Sequence, residues 1–323
     1  MNDVAVLIVS TKVDLATDAV VQRLRHRDIP YFRLNTEDYP FQDTLAYYPE
    51  ETPGSDHWLV CNGELVRSPT SIWYRRVRTP STPDGMDEGI ATFCRQESRA
   101  AIIGGIIGRR ARWMSPPSAI WEAEYKPYQL QLAARLGLTI PRTVVTNDPS
   151  AVRSAFDQFG DLIIKPTRSG HFTKEGAEYA VYTSRLLAEH MADLESARWS
   201  PSIYQALIPK KYDVRVAIVG NRCFAAAIDS PSDPAAHIDW RQTENPALPH
   251  YELKLPEALE ATLRQLMESL RLTFGAIDLV ETPQGDYVFL EVNPSGQWLW
   301  LDDMLNLGIS DAVADWLSCT SQQ

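Results

Sequence analysis

The pattern of apolar and polar positions divides the chain into an α/β opening and a longer region of mixed order. DVAVLIVS, with its apolar run at residues 4–9, reads as a buried strand of a parallel sheet. Residues 17–26 then space Ala19, Val20 and Leu24 at helical intervals, and IPYFRLN returns to strand character. This predicts a βαβ unit. SIWYRRV predicts another strand, and residues 93–107 a helix with apolar positions all round and glycines on one side. The opening domain is expected to end near SPPS, residues 115–118.

Beyond that point the pattern predicts a helix over residues 119–136, the loop GLTIPRTVVT, a helix over 150–159 and the apolar strand LIIKP. A strand-turn-strand region around RSGHF and a helix in SRLLAEHMADLE follow. Next come YQALI, the strand VRVAIVG paired through Asn221 with RCFAAAID, a polar loop, a helix over 256–270 and two last strands. Residues 308–317 form an amphipathic C-terminal helix suited to docking.

The last two strands carry the first chemical signal. FGAIDLVETPQGDYVFLEVN divides around the turn PQGD. If residues 283–286 form the loop, Thr282 faces Tyr287, and counting outward along the antiparallel ladder puts Asp278 opposite Glu291, with Cβ atoms ~5 Å apart. Alternation puts Asn293 on the same face as Glu291. Two carboxylates at that spacing repel by about 3 kcal/mol at an effective dielectric of 20. A divalent cation would reverse that cost, and hard oxygen ligands suit magnesium completed by phosphate and water. A shared proton, or a pair splayed to solvent at a sheet edge, is the plain alternative.

Composition narrows the classes. The 323 residues, 44% hydrophobic and 10% aromatic, are enough for two or three packed lobes. A net charge of −11 disfavours general nucleic-acid binding, so an anionic ligand needs a local basic pocket. Cys61, Cys94, Cys223 and Cys319 are scattered without a CxxC pair, and read as reduced packing residues. No stretch approaches the ~20 apolar residues of a membrane span and no basic leader precedes the first strand, so no membrane partner and a cytoplasmic location are expected.

Lys126 and Lys165 are the candidate anion ligands: Lys165 ends an otherwise buried strand, and a lysine there meets an anion or escapes to water. No GxxxxGK[ST] loop occurs, and GGIIG at 104–108 lacks the Rossmann spacing and reads as helix packing. A nucleotide here needs another architecture. The ordered pieces EYKPYQLQLAARLGLTIPRT, LIIKP, IYQALIPKKYDVRVAIVG, DWRQ and FGAIDLVETPQGDYVFLEVNPSGQW resemble the ATP-grasp superfamily over residues 119–317. Within it, WYRR at 73–76, IDWR at 238–241 and the tail LEVNPSGQWLWLDDMLNLGISDAVADWL resemble the graspetide (microviridin-type) peptide maturases, relatives of the ribosomal-protein S6 glutamate ligases.

The resemblance implies a mixed α/β and α+β chain: an N-terminal pre-ATP-grasp α/β domain (1–118), a central lobe (119–200) and a C-terminal lobe (201–323). It implies ATP and Mg²⁺ as cofactors. Lys126 and Lys165 would contact nucleotide phosphates, with Ser169 and Gly170 in the covering loop. Gln205, Ala206, Leu207 and Ile208 would line the adenine as a hinge, and Asp213 would approach the ribose. Asp278, Glu291 and Asn293 match the metal ligands, and Arg215 and Arg241 match positions near the γ-phosphate and an acyl phosphate, where planar donors suit phosphoryl oxygens.

Two departures stand out: Ala206 occupies a hinge position often held by glutamate, and RSGHFTKEG is poor in glycine. The implied reaction activates an Asp or Glu side chain of a ribosomal precursor peptide for attack by a Thr or Ser hydroxyl or a Lys amine of the same peptide, closing an ester or amide ring. One of Arg75 and Arg76 is expected in the domain cleft, and Glu189 and Asp193, one turn apart, to receive a basic residue of a leader helix. A homodimer is common in that family. The competing readings are a ligase that adds a free amino acid or amine, and a nucleotide-binding regulator without turnover.

Overall fold

The computed structural model describes residues 5–47, 57–62, 64–67, 69–168, 170–174, 177–243, 245 and 247–319. The chain forms two compact units: Met1–Ile120 with Arg271–Phe274 and Gln297–Gln323, and Trp121–Leu270 with Gly275–Gly296.

The first unit is built on a parallel sheet in the order Tyr31–Asn35, Val6–Ser10, Ser71–Tyr74, Arg112–Met114. Val6 to Val9 have no exposed surface, as an apolar run covered on both faces requires. The helix Leu15–His26 links the first two strands, so the predicted βαβ opening is present. The helix Glu88–Ile107 starts five residues before its expected position, because Asp87 caps it by accepting from the Gly89 and Ile90 amides. An antiparallel sheet of Leu45–Tyr47, His57–Cys61 and Glu64–Arg67 was not anticipated. Its sequence signal is the Asn-Gly pair at 62–63, a dipeptide that favours tight hairpin turns; Cys61 lies opposite Glu64, and Asn62 has φ 51°.

The C-terminal helices Leu299–Leu305 and Ile309–Ser318 belong to this unit. Asp302 joins them by accepting from the Ile309 and Ser310 amides at 2.8 Å each. The predicted docking helix is thus present, and it docks through Arg23 and Arg27 to Asp311 and through Arg27 to Asp315.

The helix expected over 119–136 is two helices, Pro117–Ala123 and Lys126–Arg135, of which the second lies wholly in the second unit. Tyr125 is extended (φ −81°, ψ 97°) because Pro127 follows two positions later in the first turn, where a proline opens a helix rather than continuing one. One four-stranded sheet runs Ser184–Leu186, Leu162–Pro166, Ser202–Ala206, Thr143–Thr146. The helix Pro149–Phe159 packs with it around Val152, Ala155, Leu162, Leu186, Leu194 and Tyr204.

The helix expected in SRLLAEHMADLE is instead the strand Ser184–Leu186 followed by 3₁₀ turns over Ala188–Trp199, kinked at Asp193 (φ −126°, ψ 45°). Leu194 is the one buried residue of those turns, too narrow an apolar stripe to hold an α-helix. A hairpin of His171–Lys174 and Ala177–Ala180 stands apart as a two-stranded sheet. The second large sheet runs His250–Leu253, Arg222–Ile228, Tyr212–Val219, Phe274–Glu281, Tyr287–Asn293, with the helix Glu257–Ser269 between its outer and inner strands in sequence. No described helix is long and apolar enough to cross a membrane.

Candidate functional site in the second unit

The hairpin of Phe274–Glu281 and Tyr287–Asn293 pairs Asp278 with Glu291, as counted from the sequence, by a different route. The turn is longer than PQGD: Glu281 faces Tyr287, so the ladder begins one residue out of the expected register. A β-bulge at Leu290 adds one residue to the outer strand and restores the offset, so that Asp278 meets Glu291 and Ala276 meets Asn293. Alternation therefore relates Glu291 to Asn293 but does not extend back through the bulge to Phe289 and Tyr287.

Each carboxylate has its own cation. Arg215, on the neighbouring strand Tyr212–Val219, donates through Nη1 to both oxygens of Asp278, at 2.7 and 2.9 Å. Lys126 Nζ lies 2.9 Å from Glu291 Oε2. Burial alone would raise both acids. In Glu291 the fields of Lys126, Lys165 and Arg241 overcome it and hold the carboxyl down to about 2. In Asp278 burial prevails over Arg215, helped by repulsion from Glu291, and the group is raised. The pair is thus split, with Glu291 the firmly ionised member.

Lys165 ends the central strand Leu162–Pro166 and is 6% exposed. Burial pushes its ammonium down to about 8, against the pull of Glu291. Among the described residues no carboxylate forms an ion pair with it within 4 Å. The amide of Lys126 donates to Thr167 O at 3.3 Å, which ties the start of the Lys126 helix to the turn after Lys165. Asp239 caps the 3₁₀ turn Trp240–Gln242 by accepting from the Arg241 amide, and it also accepts from the Arg241 Nε at 2.8 Å and Nη2 at 2.6 Å, which keeps Arg241 protonated. Lys126, Lys165, Arg215 and Arg241 thus share one electrostatic neighbourhood with Asp278, Glu291 and Asp239.

Gln205 lies two residues from Ile203, the register partner of Lys165, and so on the same face of its sheet. Its Nε2 donates to Thr143 Oγ1 at 2.9 Å, while its fully buried Oε1 has no partner among the described residues. The amides of Ala206 and Leu207 are already given to Arg142 O and Asp161 O. Asp213 is buried against Lys210, at 2.7 Å, and burial raises its carboxyl despite that partner. Lys210 was not singled out from the sequence. Gly170 has φ 70°, and a Cβ there would lie 2.6 Å from Pro166 Cγ and 2.9 Å from Val181 O, so this loop position needs glycine. Ser169 lies outside the described residues.

The remaining predicted residues lie elsewhere. Arg75, in the first unit, is 1% exposed and held by Asp14 at 2.7 Å and Gln297 at 3.1 Å, over the Trp298 ring. Its surroundings give it a packing task, and the exposed Arg76, at φ 46°, is the member of the pair open to a ligand. Glu189 and Asp193 are both exposed, but the kink at Asp193 removes the one-turn helical spacing expected of them. Asp193 lines a cavity of about 400 Å³ with His190, Arg185 and Tyr204, and Glu189 does not.

A second residue that the sequence reading missed, besides Lys210, is Gln129. It is buried on the inward stripe of the Lys126 helix with Leu130 and Ala133, and a polar side chain in that stripe is the signal that marks it. Gly296, in the turn after Asn293, is held as closely: a Cβ would lie 2.4 Å from Ala276 Cβ and 3.0 Å from Arg215 Nη2. Gly296→Ala should therefore displace the Arg215 guanidinium and cost about 1–3 kcal/mol by overpacking, which thermal melts of the variant check.

Among the described residues no three His, Cys, Asp or Glu side chains cluster as a metal site. The fit to a metal-bound polyphosphate rests on two opposed carboxylates with Asn293 beside them, and on a buried Lys165 whose desolvation no paired carboxylate offsets. That donor set suits a hard cation carrying an anion.

Residues 5–120 match the family described as the MvdD pre-ATP grasp domain. The whole chain is similar to macrocyclase MdnC from Microcystis aeruginosa MRC, solved with the precursor peptide MdnA, at 30% identity over 97% of this chain and 98% of that one, with a TM-score of 0.85. It is similar to macrocyclase MdnB of the same organism at 32% identity over 97% and 98%, TM-score 0.78. A Chryseobacterium gregarium RiPP-associated ATP-grasp ligase, solved with ADP and a leader and core peptide, matches at 25% identity over 100% and 98%, TM-score 0.87. No curated protein sequence matches the chain. With identities of 30% and 32% running over nearly the full length of both Microcystis aeruginosa macrocyclases, the chain belongs to the graspetide maturase family of ATP-grasp ligases.

Proposed function

We propose that the protein is an ATP- and magnesium-dependent macrocyclase that joins Asp or Glu side chains of a ribosomal precursor peptide to hydroxyl or amine groups of the same peptide. The observation that carries this reading is the buried Lys165 beside the Asp278–Glu291 pair: among the described residues no carboxylate forms an ion pair with the lysine, and the two carboxylates suit a cation. Magnesium-bound ATP, when present, supplies the phosphoryl group that turns a peptide carboxylate into an acyl phosphate.

The chain's residues divide the work. Lys126 and Lys165 hold phosphate oxygens, and Asp278, Glu291 and Asn293 hold the metal. Arg215 and Arg241 are planar donors for charge developing on the transferred group, which is where phosphoryl transfer gains most from the protein. Gln205 to Ile208 line the base. The Ala206 and Leu207 amides are spent on Arg142 O and Asp161 O, so the base is met by other groups of the hinge. Gly170 shapes the covering loop with Ser169, and Asp213, oriented by Lys210, stands on the ribose side.

A leader segment of the precursor docks where Asp193 borders its cavity, with Glu189 adding negative charge at the surface, and Arg76 meets an acidic group of the peptide. Docking of the leader keeps the core peptide at high effective concentration near the site. The lobes before and after residue 200, the homodimer and the cytoplasmic location belong to the same reading.

The test uses purified protein, ATP, Mg²⁺ and the precursor encoded beside it. The expected product is lighter by one water for each crosslink, and ring closure is located by fragmentation. A mass increase by an added amine or amino acid would instead establish the free-amine ligase, and an unchanged peptide with a verified precursor would remove the macrocyclase reading.

A further inference from the structure

The strand Tyr287–Asn293 is the edge of its sheet, and an edge strand carries unpaired amides and carbonyls on its outer side. Among the described residues no further strand pairs with it. Gln129 does so with one side chain: its Oε1 accepts from the Val292 amide at 2.7 Å and its Nε2 donates to the Val292 carbonyl at 2.8 Å. The second Nε2 proton goes to Ala123 O, so both donors of the amide are used and its orientation is fixed. Val292 is the residue between Glu291 and Asn293. A second tie, from the Phe289 amide to Thr139 O at 2.8 Å, lies on the other side of the bulge at Leu290. The bulge breaks the ladder that would otherwise aim these side chains, and the two ties restore a fixed frame on either side of it.

Gln129 also shares its helix with Lys126, three residues earlier and so on an adjacent face position. The helix that delivers Lys126 to Glu291 Oε2 therefore also grips the backbone beside Glu291. We propose that Gln129 is a positioning residue: by pairing with Val292 as a one-residue strand, it sets Glu291 and Asn293 in register with Lys126 for a magnesium-bound nucleotide. The inference rests on the nucleotide reading above.

The test measures ADP binding by titration calorimetry in Mg²⁺ and in EDTA, for the wild-type chain, Gln129→Met and Gln129→Glu. Met fills the space without either bond. Glu keeps the shape and the acceptor for the Val292 amide, but sets a carboxylate oxygen against the Val292 and Ala123 carbonyls. Loss of a partner that orients metal ligands commonly weakens metal affinity 10–100-fold. Both variants should therefore lose about tenfold or more of the ADP affinity measured in Mg²⁺, while the affinity in EDTA stays within about twofold.

Amide exchange at Val292 should also accelerate in Gln129→Met, a readout independent of nucleotide. If Gln129→Met does not fold, Gln129→Glu decides by the same comparison. A wild-type chain that binds ADP equally in Mg²⁺ and EDTA removes the nucleotide reading and this inference with it. A wild-type magnesium effect that both variants retain, or affinity lost equally in both buffers, overturns the inference alone.

Discussion

Glu291→Gln should slow modification of the precursor peptide by about a hundredfold or more, the loss typical when a preorganised charge is removed from a reacting centre. The substitution keeps the shape of the side chain, so the bulge at Leu290 and the tie from Gln129 to Val292 remain available. What disappears is the firmly ionised member of the carboxylate pair, held at about 2 by Lys126, Lys165 and Arg241. Those cations then face a neutral amide. Lys126 loses a charge-assisted bond worth on the order of 2 kcal/mol, and Lys165, already pushed down to about 8, loses the field that most supports its charge.

Melting temperature should therefore fall modestly, and the kinetics are read well below both transitions. ADP binding without metal should persist or tighten, because an anion meets less negative charge, whereas the gain from added Mg²⁺ should vanish. Activity within about threefold of wild type, or an unchanged magnesium effect, would remove Glu291 from the metal site.

The pairing of Asp278 with Glu291 was legible in the sequence, yet the count succeeded because two offsets cancel. PQGD marks a turn correctly, but its ladder starts one residue late, and the bulge that corrects it lies in FLEV, where neither glycine nor proline announces it. Lys126, Lys165, Arg215 and Arg241 were legible as charges in apolar or polar contexts, and the electrostatic neighbourhood they share could be inferred only through the resemblance. Gln129 shows why the rest was hidden: its partner is the backbone of Val292, 163 positions away, and a backbone partner leaves no mark of its own in the sequence.

Local propensity misled at residues 184–199, where helix-forming side chains lack an apolar stripe wide enough to bury, and tertiary packing chose a strand and 3₁₀ turns. The break before Lys126 and the hairpin at Asn62 were both readable from proline and Asn-Gly rules that the periodicity overshadowed.

Arg75→Met should destabilise the first unit by about 3–5 kcal/mol, the cost of leaving one member of a buried ion pair alone. Asp14 is 1% exposed and bonded to Arg75 at 2.7 Å and to the Thr17 hydroxyl at 3.0 Å. The guanidinium lies 4.2 Å from the Trp298 ring centroid, within a setting completed by Trp73 and Phe274. Methionine fills much of that space but returns neither the charge nor the bond to Gln297.

Burial works against both partners, lowering Arg75 to about 10 and by itself raising Asp14, but the arginine reverses the second effect and keeps Asp14 below its usual range. The sign of the pH dependence follows. A carboxyl depressed in the folded state contributes stability above its unfolded value of about 3.9, and that contribution fades as pH falls through the lower folded value. In Arg75→Met the main opposition to burial is gone and only the Thr17 hydroxyl and Arg76 still favour the ionised form, so Asp14 titrates upward and the acid limb of the stability curve moves to higher pH. Adding Asp14→Leu to Arg75→Met should recover part of the loss, since a matched apolar pair carries no stranded charge. Urea denaturation of the single and double variants between pH 3 and 8 measures each term. Equal stability of Arg75→Met and wild type at pH 7, or no coupling between the two substitutions, would show that the pair is not what holds this part of the first unit together.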